Sequence, residues 1–191
     1  MLKFILSARM GIFFLVLVIQ FAILLVVQAR AEEMVIGEVR SEPGIQFIFE
    51  GAIKDDVSPA ERHLPIDQTD VHLEARVNWA EKDIPEGTPA GGFVPYLLID
   101  ALIRNEKNDR TFHVSLVPHI NLIDNFHYAR NVALPGEISD RYTVIFNVRP
   151  AGSEHLSFHK DWIDNYGKGL IKPQTFEYKN LDFEAIAKAS R

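Results

Sequence analysis

Between Val71 and Trp79 the chain alternates without a break: Val71, Leu73, Ala75, Val77 and Trp79 are apolar, whereas His72, Glu74, Arg76 and Asn78 are polar. Successive side chains of a strand point to opposite faces, so this period predicts a β-strand with one face on a core. A helix would scatter the same apolar residues around its circumference. The geometry also sets His72 and Glu74 side by side on the opposite face. An imidazole and a carboxylate so placed can bind a metal, although a solvated strand face accounts for the pair by itself.

Short runs of similar character recur, separated by turn signals. MVIGEVR (34–40) and IQFIFEGAI (45–53) flank Ser41-Glu42-Pro43-Gly44, a hairpin connection. Residues 54–69, with Pro59 and Pro65, read as a long polar loop, and residues 81–92 as a proline- and glycine-rich connection. Residues 93–104 read as a strand with Pro95 marking an edge or bulge at its start. After a polar turn at 106–110, TFHVSLV (111–117) and residues 141–148 give two more strands, and 176–178 a last one. Residues 182–190 are expected to form a short helix. About seven short strands with little helix predict an all-β fold, an antiparallel β-sandwich.

The first 31 residues are a separate object. Lys3 and Arg9 precede an almost wholly apolar run at 11–27, and Ala29-Arg30-Ala31 is a small-x-small pattern of the kind signal peptidase cuts after. Cleavage after Ala31 is the expectation, leaving an exported domain over 32–191 with no membrane insertion. An uncleaved anchor is the alternative, since a spanning helix needs about 20 apolar residues. Removing Lys3, Arg9 and Arg30 leaves 17 basic against 26 acidic residues, a formal charge of −9. That balance argues against nucleic acid or anionic lipid as a partner, because both need clustered Lys and Arg.

There is no cysteine, which excludes disulfides, thiolate nucleophiles and iron–sulfur clusters. Of the three methionines only Met34 lies beyond the leader, so no thioether is available deep in the domain. A metal must therefore be held by His, Asp, Glu, carbonyls or water. The stretch VPHINLIDNFHYARN (117–131) places His119 and His127 either side of a polar elbow, with Asp124 and Asn125 at the bend. His159 lies between Phe158 and Trp162, where packing alone explains it; His63, His113 and His155 carry no supporting context.

Four segments give these residues a frame: DVHLEA (70–75), GGFVPYLLI (91–99), LVPH…DNFHYARNV (116–132) and FHKDWIDNYGKG (158–169). In order and spacing the chain resembles the periplasmic iron-transport proteins of bacteria, from about Asp70 to Phe183. The resemblance implies a dimeric, immunoglobulin-like sandwich that binds copper and works with an inner-membrane iron permease. It implies metal ligands at His72, Glu74, His127 and His159. Where the family places a methionine after a proline, His119 follows Pro118, and the interval to His127 is one residue longer. Either a bulge absorbs that residue or His119 is not a ligand. DNFHYA also lacks the glycine and proline of the family's loop, so a different turn is required.

With His119 in place of the thioether, soft Cu(I) loses its preferred ligand, while Cu(II), Zn(II) and Fe(II) remain well served. The expected cargo is copper or iron, with Zn or Mn binding in vitro. Imidazole binds only when deprotonated, so affinity should fall as pH drops through the histidine range. The leading expectation is therefore a periplasmic metal-binding protein of iron uptake, not an enzyme. A copper-dependent redox enzyme acting on iron, and a metal-free structural sandwich, are the alternatives.

Overall fold

The computed structural model describes residues 33–190; the expected leader at 1–31 lies outside the described residues. Eight antiparallel strands run β1 (Met34–Ser41), β2 (Ile45–Ala52), β3 (Val71–Trp79), β4 (Leu97–Asn105), β5 (Thr111–Asn121), β6 (Asn125–Val132), β7 (Arg141–Pro150) and β8 (Gln174–Asp182). Two short helices follow late in the chain, α1 (Lys160–Tyr166) and α2 (Glu184–Lys188). The strands hydrogen-bond in the order β1-β2-β3-β6-β5-β4-β7-β8. The fold is all-β, as the alternation predicts.

Strand β5 makes this a sandwich. Its first half pairs with β4, through Thr111 opposite Arg104 to Leu116 opposite Ile99. Its second half pairs with β6, from Val117 opposite Ala129 to Asn121 opposite Asn125. One strand thus passes from one layer to the other, and the two layers face each other across an aromatic core. Phe49 of β2 stacks on Phe146 of β7 with centroids 4.1 Å apart, and Phe176 of β8 lies 5.7 Å from Phe47 and 5.4 Å from Phe49. The predicted inner face of β3 is buried throughout, with Leu73, Ala75 and Val77 at most 1% exposed. Gly37 of β1 is required by the closure, because any side chain there would run into the Tyr178 ring of β8.

Three expectations are corrected. Residues 125–132, expected only as one side of the polar elbow, form a full strand, β6, which raises the count from about seven to eight. The last strand is nine residues long rather than three. The strand expected at 93–104 begins only at Leu97, because the segment before it crosses β3 instead: Phe93 bridges Asn78, Val94 N–H donates to the Val77 carbonyl, and Tyr96 takes φ 63°.

Tyr128 fixes that crossing. Its buried hydroxyl donates to the Val94 carbonyl at 2.9 Å and accepts from the Leu97 N–H at 3.2 Å. Burial pushes the hydroxyl pKa up to about 12, so it remains a donor at any ordinary pH. Tyr128→Phe strands one carbonyl and one N–H and is expected to cost about 1–2 kcal/mol, measured as a lowered urea midpoint.

Candidate metal centre

At its first half the face of β3 turned away from the core is not solvated. His72 is 4% and Glu74 2% exposed, because the loop between β2 and β3 folds over them. Pairing then recruits the other ligands. β6 lies beside β3 with Asn131 opposite His72 and Ala129 opposite Glu74, which puts His127 one step further along the same face. β5 follows with His119 directly opposite His127 in an unbroken register. No bulge interrupts the pairing, and a turn at 122–124 joins the two strands. There Asn121 Oδ1 accepts from the Ile123 and Asp124 N–H groups, and Asn125 takes φ 61°.

One ligand atom from each of His72, His119 and His127 lies within 4.8 Å of the others. Two nitrogens about 2.0–2.1 Å from one tetrahedral ion are roughly 3.3 Å apart, so small ring rotations close the set. Glu74 Oε1 stands 3.6 Å from His72 Nε2 and 3.9 Å from His127 Nε2. Glu74 Oε2 and His119 Nε2 are both buried without a hydrogen-bond partner. Buried polar atoms are rarely left so, since each costs about 1–3 kcal/mol. A cation shared by these atoms would satisfy both, and the donor set fits a metal.

Outer partners set the tautomers. Asn131 Nδ2 donates to the carbonyls of Asp55 and Leu64, both at 2.9 Å, which fixes its Oδ1 as the acceptor facing His72 Nδ1 at 2.6 Å. His127 Nδ1 meets the Asn125 carbonyl at 3.1 Å, and a carbonyl can only accept. Both rings therefore carry their proton on Nδ1 and turn the Nε2 lone pair toward Glu74, the arrangement that orients a metal-binding imidazole.

The electrostatics favour a cation. Burial raises the Glu74 pKa to about 8, aided by Asp124, Glu33 and Glu50 and opposed by Arg76. Burial lowers His119 to about 3, with His72, His63, His127 and Arg130 adding to the effect. His127 is lowered too, chiefly by burial, against its bond to the Asn125 carbonyl. Near neutral pH Glu74 thus carries a proton that competes with a metal, whereas His119 carries none.

A stability prediction follows for the metal-free protein. Between its unfolded value of 4.5 and its folded value of about 8, Glu74 keeps a proton that the unfolded chain has released, so stability falls as pH rises. His119 acts oppositely: below its unfolded value of 6.5, and down to about 3, the unfolded chain binds a proton that the folded chain refuses. The two slopes oppose each other only between 4.5 and 6.5, where the lowered His127 adds to that of His119, and Glu74 dominates above 6.5. Stability should drop by about 1–2 kcal/mol from pH 6.5 to 8. Urea midpoints of chelator-treated protein at the two pH values check this, and Glu74→Gln should flatten the slope.

The sequence profile of the Fe2+ transport protein family matches residues 30–185. The chain belongs to that family. Among relatives of this Fe2+ transport family member, the UPF0423 protein of Brucella abortus is 28% identical over 165 residues, spanning 85% of this chain and 88% of that protein. The 34 kDa membrane antigen of Treponema pallidum is 31% identical over 97 residues, 50% of this chain and 46% of the antigen. Two solved structures share the fold. A copper-bound variant of FetP from uropathogenic Escherichia coli strain F11 has a TM-score of 0.64 at 24% identity, covering 78% of this chain and 95% of FetP. Copper-reconstituted P19 from Campylobacter jejuni has a TM-score of 0.65 at 23% identity, covering 78% and 94%.

Of the sequence-expected ligands, the structure of this family member brings together His72, Glu74, His119 and His127. His159 is elsewhere on its own chain: exposed, at the start of α1, in a groove with Trp79, Phe158 and Trp162. Two residues of the site went unread in the sequence. Asn131 lies four residues after His127 and signals nothing until β6 is known to pair with β3. His63 lies in the covering loop, with its ring 5.0 Å from that of His119.

Proposed function

We propose that this chain is a periplasmic metal-binding protein of bacterial iron uptake, working as a homodimer with an inner-membrane iron permease. The observation that carries the reading is the set of three imidazoles closed around Glu74, whose Oε2 is buried and unpartnered. His72, His119, His127 and Glu74 would hold the ion, and nitrogen and carboxylate donors with no thioether suit Cu(II) or Fe(II) rather than Cu(I). Zn(II) and Mn(II) are expected to bind in vitro. Membership of the Fe2+ transport family supports the link to iron, and the copper reported in FetP and P19 supports copper as an occupant. The role is binding and hand-over, not turnover.

The tip of the β5–β6 hairpin supports the dimer. Ile120, Leu122, Ile123 and Phe126 are all exposed there beside the cavity that holds the site. A contiguous apolar patch of this kind marks an association surface. His159 is fixed on the surface of its own chain, so it joins such a site only from the second copy. Sedimentation velocity should give a dimer, and Leu122→Asp with Ile123→Asp a monomer.

Calorimetric titration with Cu(II) at neutral pH tests the central reading. Saturable binding at one ion per chain is expected, with proton release from Glu74 making the apparent affinity rise toward pH 8. A protein that takes up no Cu(II), Fe(II) or Zn(II) would sink it.

A further inference from the structure

The loop that covers β3 brings its own imidazole. His63 lines the same cavity of about 870 Å³ as His72, His119 and His127. Its Nδ1 is buried and has no hydrogen-bond partner. The ring meets His119 edge-on at 5.0 Å, a separation like the 5.3 and 5.8 Å that part His119 from His72 and His127. His119 is therefore the middle member of a row of imidazoles, and unpartnered buried nitrogens lie on both His63 and His119.

We propose that His63 is a further metal ligand, binding the same ion as His119 through Nδ1, so that the loop closes the site. This rests on the reading of the cluster as a metal centre. The loop is held for that purpose on both sides of His63. Arg130 Nη1 donates to the Arg62 carbonyl at 2.5 Å, and Asn131 Nδ2 donates to the Leu64 carbonyl at 2.9 Å. Thr69 Oγ1 donates to the carbonyls of Leu64 and Pro65. Asn131 is also the residue that orients His72, so one amide sets the loop and a ligand together. A ligand whose backbone is fixed beforehand loses little freedom on binding.

The charges around the position allow a cation. Arg62 and Arg130 oppose one, Asp55 and Asp56 on the same cavity wall balance them, and Glu74 adds a third acid once a bound ion displaces its proton. The position also answers a chemical need. This site has no methionine, and a fourth imidazole, next to His119, completes a nitrogen-rich set that Cu(II) prefers.

The test compares the Cu(II)-loaded protein with His63→Gln and, as a control, His155→Gln, an exposed histidine far along the chain. Affinity is read by chelator competition, the ligand field by electron paramagnetic resonance, and folding by urea midpoints. For His63→Gln the expected result is an affinity about 10- to 100-fold lower and shifted copper hyperfine parameters, with one ion per chain retained. His155→Gln should match the parent. Unchanged affinity and spectrum in His63→Gln overturn the proposal. So does loss of a second, separately titrating ion while the first keeps its spectrum. A parent protein that binds no Cu(II) overturns the metal centre itself, and the proposal with it.

Discussion

Replacing His72 and His127 together by alanine should weaken Cu(II) binding by about a thousandfold or more. Losing a single outer partner of a metal ligand typically costs about 10- to 100-fold, and here two direct ligands go at once. The variant also leaves Glu74 with no imidazole on either side, since its Oε1 is 3.6 Å from one ring and 3.9 Å from the other. Both histidines project from the face of the sheet opposite the Phe49–Phe146 core, so the fold should survive; circular dichroism and a urea midpoint check that. Chelator competition measures the affinity. Binding within tenfold of the parent would show that the ion is held elsewhere.

Arg76→Met should destabilise the domain by about 3 kcal/mol. Glu50 is fully buried and receives both its hydrogen bonds from Arg76, from Nε at 2.5 Å and Nη2 at 2.6 Å. It also stands directly opposite Glu74 on the neighbouring strand. Removing the guanidinium leaves the Glu50 carboxylate buried without its cation or its two hydrogen bonds, and any charge on Glu74 opposite adds repulsion. The side chain of Arg76 is 32% exposed, which holds the expected cost to the low end for a buried pair. Glu50→Gln in the same chain should recover most of the loss, and the coupling is read from a double-mutant cycle. Arg76 also pulls the Glu74 pKa down, so the single variant should carry the pH slope of the metal-free protein to higher pH.

The sandwich was legible wherever one face of a strand meets water. β3 and β7 alternate cleanly because their polar positions and apolar positions have different destinations. β6 was not legible, and the reason is physical. Tyr128 and Val132 face the core, whereas His127, Ala129 and Asn131 face the metal cavity, and all are buried. Arg130 interrupts the apolar row and Ala129 the polar one, so no alternation marks the strand. The same burial hid the strength of the site. His72 and Glu74 looked like an ordinary solvated pair, and only the loop that covers them makes an unpartnered carboxylate oxygen of Glu74. His119 and His127 could be picked out by their spacing around a turn, but their direct opposition needed the register. Nothing local distinguishes His63 from His113 or His155. Its position depends on carbonyl contacts to Arg130 and Asn131, which are 67 and 68 residues away in the chain.

The hairpin at 122–124 has an evolutionary consequence. A residue gained or lost within the paired part of β5 would turn His119 over to the other face of the sheet. In the turn, the same change leaves every pair from Asn121–Asn125 to Val117–Ala129 as it was. Lineages can therefore lengthen or shorten this hairpin at its tip, and so reshape whatever surface it presents to a partner, while the ligands keep their places.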